Sequence, residues 1–513
     1  MTDSRTHKTF LNARVNFIFY FLTLIIAFVS RKIFLSNLGD DFIGLTGTLY
    51  NILGFLNLAE LGISTSIAFL LYKPIFNKDR QQINEMISVF GFIYSVIGKI
   101  ILAVGVIISC FLPLIFEKTT MPLGIIYFAY YAFLSSSLFS YFINYKQILL
   151  GADQRNYVIT GYYQSSLIIK NLLQLIICYY THNYYIWVGV ELVFSILYCI
   201  LLNWKIFQVY PWLKADLKLG KKLFKKYPEI VIKTKQVFVQ RIAFTILTQT
   251  TTPLIYAYST LQTVALYGNY MILIEKGASL INMTMSGANA GIGNLIAEGN
   301  KPRIISVFWE LRAFRYWMAF NLVFSFYYFI EPFIRLWLGA EYIMERYVLI
   351  IILINIFIGQ TRIVVMGFLN GYGLFKDIWS PIVEAGLNIG TAVILGTFLG
   401  IGGVLLGATV SLMLIICLWK PYFLYKEGFK LSVKSYWYKT SIYFILSMGG
   451  WLILHLTIIP MIDFNDISSF LELIRVVLIL VPLYALLTWC GYYFIASGMK
   501  DFTNRMLRAV LKK

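Results

Sequence analysis

Residues 204–241 read WKIFQVYPWLKADLKLGKKLFKKYPEIVIKTKQVFVQR, a basic interval in a chain that is otherwise mostly apolar. It carries Lys205, Lys214, Lys218, Lys221, Lys222, Lys225, Lys226, Lys233, Lys235 and Arg241 against only Asp216 and Glu229. Apolar segments flank it, each long enough to cross a bilayer, which takes about 20 helical residues at roughly 1.5 Å each. Lys and Arg collect in the cytoplasmic loops of membrane proteins, so the interval marks the inside and cuts the chain into two halves.

Of the 513 residues, 59% are hydrophobic, 17% aromatic and only 13% charged, with a mean hydropathy of +0.74. Soluble domains carry about 25% charged residues, so the composition is that of an all-α polytopic membrane protein. The net charge of +19 does not point to nucleic acid, because the cations lie in short loops between apolar spans, where they face anionic lipid. Cys110, Cys178, Cys199, Cys417 and Cys490 fall within apolar segments without CxxC spacing and read as packing residues. His7, His182 and His455 are too scattered to assemble a metal site. The first apolar span is too long for a signal-peptide core and is expected to remain as a helix.

About fourteen membrane helices follow from the length criterion. Six precede the basic interval, at 15–35, 42–72, 86–116, 122–143, 157–180 and 184–202. Eight follow it, at 242–258, 264–296, 313–330, 348–368, 379–399, 404–424, 438–459 and 471–495. This predicts a first lobe over 1–204, a cytoplasmic linker over 205–241, a second lobe over 242–425, and two added helices with a basic tail over 426–513. With the linker inside, the loops holding Lys73, Lys78 and Arg80, then Lys420, Lys426, Lys430 and Lys434, also fall inside, as do both termini. Asp40, Asp41, Asp463 and Asp466 fall outside. The halves echo each other: Asn12-Ala13-Arg14-Val15-Asn16-Phe17 opens the first span and Val239-Gln240-Arg241-Ile242-Ala243-Phe244 the seventh, with Gly44 and Gly268 early in the spans that follow. Repeats of this kind build transporter sites between two bundles.

The eighth span carries the clearest functional signal. Glu275, Ser279, Asn282, Ser286 and Asn289 recur at helical spacing on one face, with Lys276 beside them. A charge near the bilayer centre costs from about 2.5 kcal/mol upward unless it meets water or a partner. Ser and Asn alone read equally well as glue between packed helices, whereas the two charges favour a hydrated cavity. The second span repeats the pattern with Tyr50, Asn57, Glu60 and Ser64, and the seventh with Arg241, Thr245, Thr248 and Thr252. Further charges expected inside the membrane are Lys99, Lys170 (with Ser166 and Gln174), Arg362 and Glu384. Arg362 suits a path-lining role because a guanidinium keeps its charge and forks onto phosphate oxygens, its plainer role being an ion pair with Glu384. Lys170 could equally pair within its own bundle. Arg31 and Lys32 either snorkel to headgroups or guard the outer mouth. Arg14 and Arg241 are candidates to attract phosphates or lock an inner gate, against the plainer role of positive-inside anchors. There is no GxSxG, no GxxxxGK[ST], and no large outside loop to house an active site, so an enzyme is not expected.

Three strings carry a family resemblance: Asn57-Leu58-Ala59-Glu60-Leu61-Gly62-Ile63, Trp337-Leu338-Gly339-Ala340-Glu341-Tyr342, and Leu399-Gly400-Ile401-Gly402-Gly403-Val404 followed by Ala408-Thr409, with Asn388 ahead of this last, glycine-rich string. In order and spacing they resemble the Wzx-like polysaccharide flippases of the MATE/MOP exporter superfamily, over essentially the whole chain. The resemblance implies two pseudo-symmetric six-helix lobes around a central cavity, two added helices, and alternating access in a bacterial inner membrane. It also implies a substrate, an oligosaccharide on a polyprenyl pyrophosphate carrier, destined for surface polysaccharide or the O-antigen of lipopolysaccharide. Lys276 and Arg362 best match the cationic cavity positions of such proteins. Glu60 and Glu275 depart from a purely cationic cavity and leave a proton or sodium coupling site open; no other cofactor is implied. A monomer is expected, in contact with membrane lipid and with a glycan polymerase as a candidate partner. Three alternatives are kept: a cation-coupled multidrug exporter of the same fold, a flippase of lipid-linked peptidoglycan precursor, and a membrane glycan ligase or polymerase.

Overall fold

The helices begin and end where local chemistry places them. Asp79 accepts from the Gln82 amide at 2.9 Å and caps α3 (Arg80–Ser109), and Asn183 accepts from the amides of Tyr185 and Ile186 at the start of α6 (Tyr184–Val209). His182, left-handed at φ 49°, ends α5 (Asn156–Thr181), so α5 and α6 form a tight antiparallel hairpin. The computed structural model describes residues 5–511 apart from 57–66, 68–69, 72–73, 120, 154, 229–244, 246–247, 286–291, 293–294, 297, 375 and 378. The chain divides into two compact units, Met1–Ala265 and Leu266–Lys513.

In the first unit α1 (Arg5–Leu38) packs on α5 and on α2 (Asp40–Leu56), while α4 (Leu123–Phe142) packs against α2, α3 and α6. On α5, Ile169, Leu172 and Ile176 remain exposed, as do Val193, Leu197 and Ile200 on α6. Each set recurs at helical spacing and suits a lipid-facing stripe. The linker is in part folded onto α3. Its short helix α7 (Leu217–Leu223) is capped by Asp216, the Lys214 amide donates to Asn84 Oδ1 at 2.8 Å, and the Asp216 amide donates to Ser88 Oγ at 3.0 Å. Gly220 lies so close to α3 that a Cβ would stand 2.0 Å from the Ser88 carbonyl oxygen. A further short helix, α8 (Thr251–Tyr258), packs on α2.

The second unit takes up most of α9 (Leu261–Met285) and is organised around α10 (Lys301–Trp337), which touches α11 (Arg346–Gly371), α14 (Lys434–Thr457), α15 (Phe470–Ile495) and α16 (Ser497–Leu511). The sequence places this span at 313–330, but the helix starts twelve residues earlier. Asn300 caps it by accepting from the Arg303 amide at 3.2 Å, and Pro302 sits in the first turn. The charges Arg303, Glu310 and Arg312 conceal those turns from a hydropathy criterion. The stretch Trp379–Phe429 is 51 residues of helix that turns at Gly400, φ 54° and ψ −130°, into α12 (379–399) and α13 (401–429). Gly403 and Gly407 let the arms meet, since a Cβ on either would lie within 2.0 Å of the Leu395 carbonyl or 2.6 Å of Ala392. Aromatic side chains join α15 to its neighbours, Phe324 stacking on Tyr484 at 4.1 Å and Tyr443 on Tyr492 at 5.2 Å.

Among the described residues nine helices are long and apolar enough to cross a membrane, counting Trp379–Phe429 once although it turns at Gly400. The protein is an all-α polytopic membrane protein.

Candidate functional site

In the first unit the α5–α6 hairpin brings three polar side chains together. Lys170 and Gln174, one turn apart on α5, meet Glu191 on α6: the ammonium stands 2.7 Å from Glu191 Oε1, and Gln174 Nε2 donates to Glu191 Oε2 at 3.2 Å and to the Trp187 carbonyl at 3.0 Å. Lys170 is buried, and the pair borders a cavity of about 250 Å³ lined by Ser136, Ser140, Tyr163, Ser166 and Ser195. Lys170 is therefore a paired cation. Its acid is absent from the sequence-derived candidates, because a lone Glu191 in a long apolar span shows no spacing pattern of its own.

Other candidates of this unit are dispersed. Arg14 is exposed on α1, while the Arg31 guanidinium donates to the Ala265 carbonyl at 2.9 Å. Lys99, expected inside the membrane protein, is exposed on the surface of α3, where a long stem can carry the ammonium outward. Asn57, Glu60 and Arg241 lie outside the described residues.

In the second unit the stripe of α9 runs beside that helix's packed face. Ile274, Ala278 and Ile281 are buried, and a Cβ on Gly277 would press on Phe326 of α10. Beside them Glu275 and Asn282 are exposed, and Lys276 and Ser279 half-buried. Ser286 and Asn289 lie outside the described residues. Arg315 of α10, fully buried, anchors this stripe: its guanidinium donates to Asn282 Oδ1, to Gln360 Oε1, to the Gln360 carbonyl at 2.8 Å and to the Ile281 carbonyl at 3.2 Å. It thereby ties α9 to α11.

One turn earlier on α10, Arg312 is 3% exposed. It donates to the Thr361 carbonyl and to the hydroxyls of Tyr316 and Tyr436, whose rings lie 4.5 and 5.0 Å from the guanidinium carbon. Arg362 of α11 lines the same small pocket as Arg312. Glu384 of α12 is buried, interacts electrostatically with Arg362 and Lys420, and leaves Oε1 without a hydrogen-bond partner. Among the described residues it forms no ion pair with Arg362. Lys420 instead bonds Asp377 at 2.7 Å, and Ser380 and Trp419 donate to the same carboxylate oxygen. Burial alone would raise the Asp377 carboxyl, but those donors outweigh it and hold the group below the ordinary carboxylate range.

Among the described residues the second unit buries three cations, Arg312, Arg315 and Lys420, and three acids, Glu310, Asp377 and Glu384, with Arg362 half-buried beside them. Neither Arg312 nor Arg315 pairs with a carboxylate among the described residues. Hydropathy does not single them out, because Arg312 lies just before the span it draws at 313–330 and Arg315 in that span's first turn. Their recurrence at i and i+3 is the signal that was available.

No protein-family model matches the chain, and no curated protein matches it in sequence. Solved structures match the fold. A lipid II flippase, MurJ, in an inward closed conformation shares 14% identity at a TM-score of 0.63, over 93% of this chain and 98% of its own. A multidrug resistance MATE family transporter of the MOP superfamily, inward-facing, shares 14% identity at a TM-score of 0.61, over 80% of this chain and 95% of its own. A MATE structure in a bent conformation aligns at 0.50 with 14% identity, over 82% and 96%. The fold is that of MATE/MOP transporters.

Proposed function

We propose that this protein is a flippase that carries oligosaccharide repeat units on polyprenyl pyrophosphate from the cytoplasmic to the outer leaflet of a bacterial inner membrane by alternating access. Its product would feed the assembly of surface polysaccharide or of the O-antigen of lipopolysaccharide. The observation that carries this reading is that Arg312 and Arg315 are buried without a carboxylate partner among the described residues, Arg315 being fixed to the polar stripe beside Lys276. A pyrophosphate with sugars cannot cross hydrocarbon unaided, whereas its lipid tail has no need to leave it. Buried guanidinium and ammonium groups lower the cost of bringing that anion to membrane depth. The likeness to a lipid II flippase supports lipid-linked cargo within the reach of the fold, with peptidoglycan precursor as the nearest alternative.

A second reading, a cation-coupled multidrug exporter, is favoured by Glu384, buried with one oxygen unpartnered, and by the exposed acid Glu275. The likeness to a multidrug transporter supports it equally at the level of fold. Leaflet exposure of a short polyprenyl-pyrophosphate oligosaccharide in proteoliposomes separates the two. Wild-type protein is expected to expose the glycan and Lys276→Ala to lose that activity. Exposure lost in Lys276→Ala but kept in Arg362→Ala would remove Arg362 from the path. Efflux of a cationic dye, with no glycan exposure, would replace this reading by the exporter.

A further inference from the structure

We propose that the cavity of the first unit, walled by α4, α5 and α6, is a subsite for one neutral sugar ring. This rests on the reading of a glycan as cargo and names the part of it that the first unit holds.

The ion pair sets the charge of the site. Lys170 and Glu191 stand 2.7 Å apart, each about 12–18 Å along its helix from the hairpin turn at the rise of roughly 1.5 Å per residue, and so well inside the hydrocarbon layer. The ammonium occupies the place a cation would take on the carboxylate, and the carboxylate offsets the ammonium for an anion. A formal charge brought to this depth meets no net counter-charge, whereas a neutral polar ligand needs none.

Both members of the pair stay open to the cavity, with side-chain exposures of 11% and 14%. An ammonium has three N–H groups, and Lys170 uses one of them on Glu191. Glu191 accepts from Lys170 and Gln174 and lies in the field of Tyr50 on α2, while a carboxylate offers about four acceptor sites. A free donor therefore stands beside a free acceptor. Two adjacent hydroxyls of a sugar ring match that arrangement, one donating to the carboxylate and the other accepting from the ammonium.

The walls supply what the rest of a ring needs. A serine in a membrane helix can donate to a carbonyl one turn back, as Ser136 does to Ala132 at 3.0 Å. Ser140 and Ser166 leave that bond unmade, stay accessible, and line the cavity with the exposed Tyr163; none of the three hydroxyls bonds to protein among the described residues. Polar groups that serve as glue between helices bond one another, and these do not. Tyr163 and Tyr198 meet edge to face at 5.4 Å with Phe194 beside them, an apolar wall for the C–H face of a pyranose. The cavity, about 250 Å³, takes several waters, which ring hydroxyls can replace bond for bond.

Binding is read by saturation-transfer NMR on the full chain, in a detergent without a sugar head group. The probes are the methyl pyranosides of glucose, galactose and mannose, and N-acetylglucosamine. The wild type is expected to bind at least one with a Kd of about 1–10 mM, and sodium chloride should not displace it. Ser140→Ala with Ser166→Ala removes two hydroxyls that hold nothing in the protein, and should raise Kd at least about fivefold at unchanged Tm. Lys170→Met with Glu191→Gln removes both charges together, so neither is orphaned in the membrane, and should abolish the signal. Sorbitol, which has the hydroxyls but no fixed ring, should bind at least about tenfold more weakly. A wild type silent to all four probes, a double alanine variant that binds as the wild type does, displacement by sodium, or sorbitol matching the pyranosides would overturn the assignment. Glycan exposure in proteoliposomes by a chain silent to every probe would remove this subsite and leave the flippase; sugar binding by a chain that exposes no glycan would do the reverse.

Discussion

Arg315 shows how one side chain can settle the geometry of a neighbouring candidate site. Its four bonds go to neutral oxygens on two other helices, and hydrogen bonds made by a charged donor are worth about 1.5–3 kcal/mol each before losses are shared. Arg315→Gln reaches at most one of those acceptors and strands the others in a buried place. We expect a loss of about 3 kcal/mol or more, read as a fall in Tm of about 3 °C or more in detergent. Arg315→Lys, which keeps the charge but not the fork, should fall between the two. An unchanged Tm in Arg315→Gln would mean that water meets those acceptors as well as the guanidinium does. At this scale the sequence is only partly legible. Spacing identified the stripe Glu275, Ser279 and Asn282, and hydropathy flagged Lys170, Arg362 and Glu384 as charges out of place. Partners were not legible, because Glu191 meets Lys170, and Asn282 meets Arg315, through helix rotations that only packing decides.

Among the elements, the α12–α13 hairpin is the one whose sequence specifies it most closely. The glycine-rich string from Gly400 to Gly407 supplies both the positive φ of the turn and the absence of side chains where the arms touch. Gly403→Ala would place a methyl 2.0 Å from the Leu395 carbonyl oxygen, so the arms must part at a cost of about 1–3 kcal/mol or more. Gly386→Ala, on the other arm and with nothing within 4 Å, should be neutral or slightly stabilising. Equal Tm values for the two variants would refute the close approach. The inner ends of the same arms are bolted by Lys420 on Asp377, and the sign of the pH dependence follows from the depressed carboxyl. A group whose folded pKa lies below its unfolded value adds stability above the unfolded value, about 4, and loses it as the pH falls through the folded one. Wild-type Tm should therefore decline as pH drops below about 5, and Asp377→Asn should start lower and decline less steeply. By contrast, the start of α10 defeated hydropathy because its first turns are charged and held by a cap and by packing against α16.

For the whole molecule, the bilayer makes most of the architecture legible. Its thickness fixes span length, and its exclusion of open backbone leaves helices as the way to use a chain this apolar. That constraint survives at 14% identity to structures of the same fold, where the sequence no longer matches any curated protein. It does not carry substrate identity, which depends on the few polar side chains discussed above. Direction of transport depends on orientation, and orientation rests on the basic linker, part of which is docked on α3 by Gly220, Asn84 and Ser88. Lys221 in that docked helix and Asp466 between α14 and α15 are both exposed, and the positive-inside bias assigns them to opposite faces. With the exposed Cys110 and Cys490 replaced by serine, Lys221→Cys and Asp466→Cys can be treated with a membrane-impermeant maleimide on intact cells. Asp466→Cys should label at once and Lys221→Cys only after permeabilisation. The reverse pattern would place the linker outside, invert the sense of any flipping step, and leave the cations of the linker without the anionic leaflet that accounts for them.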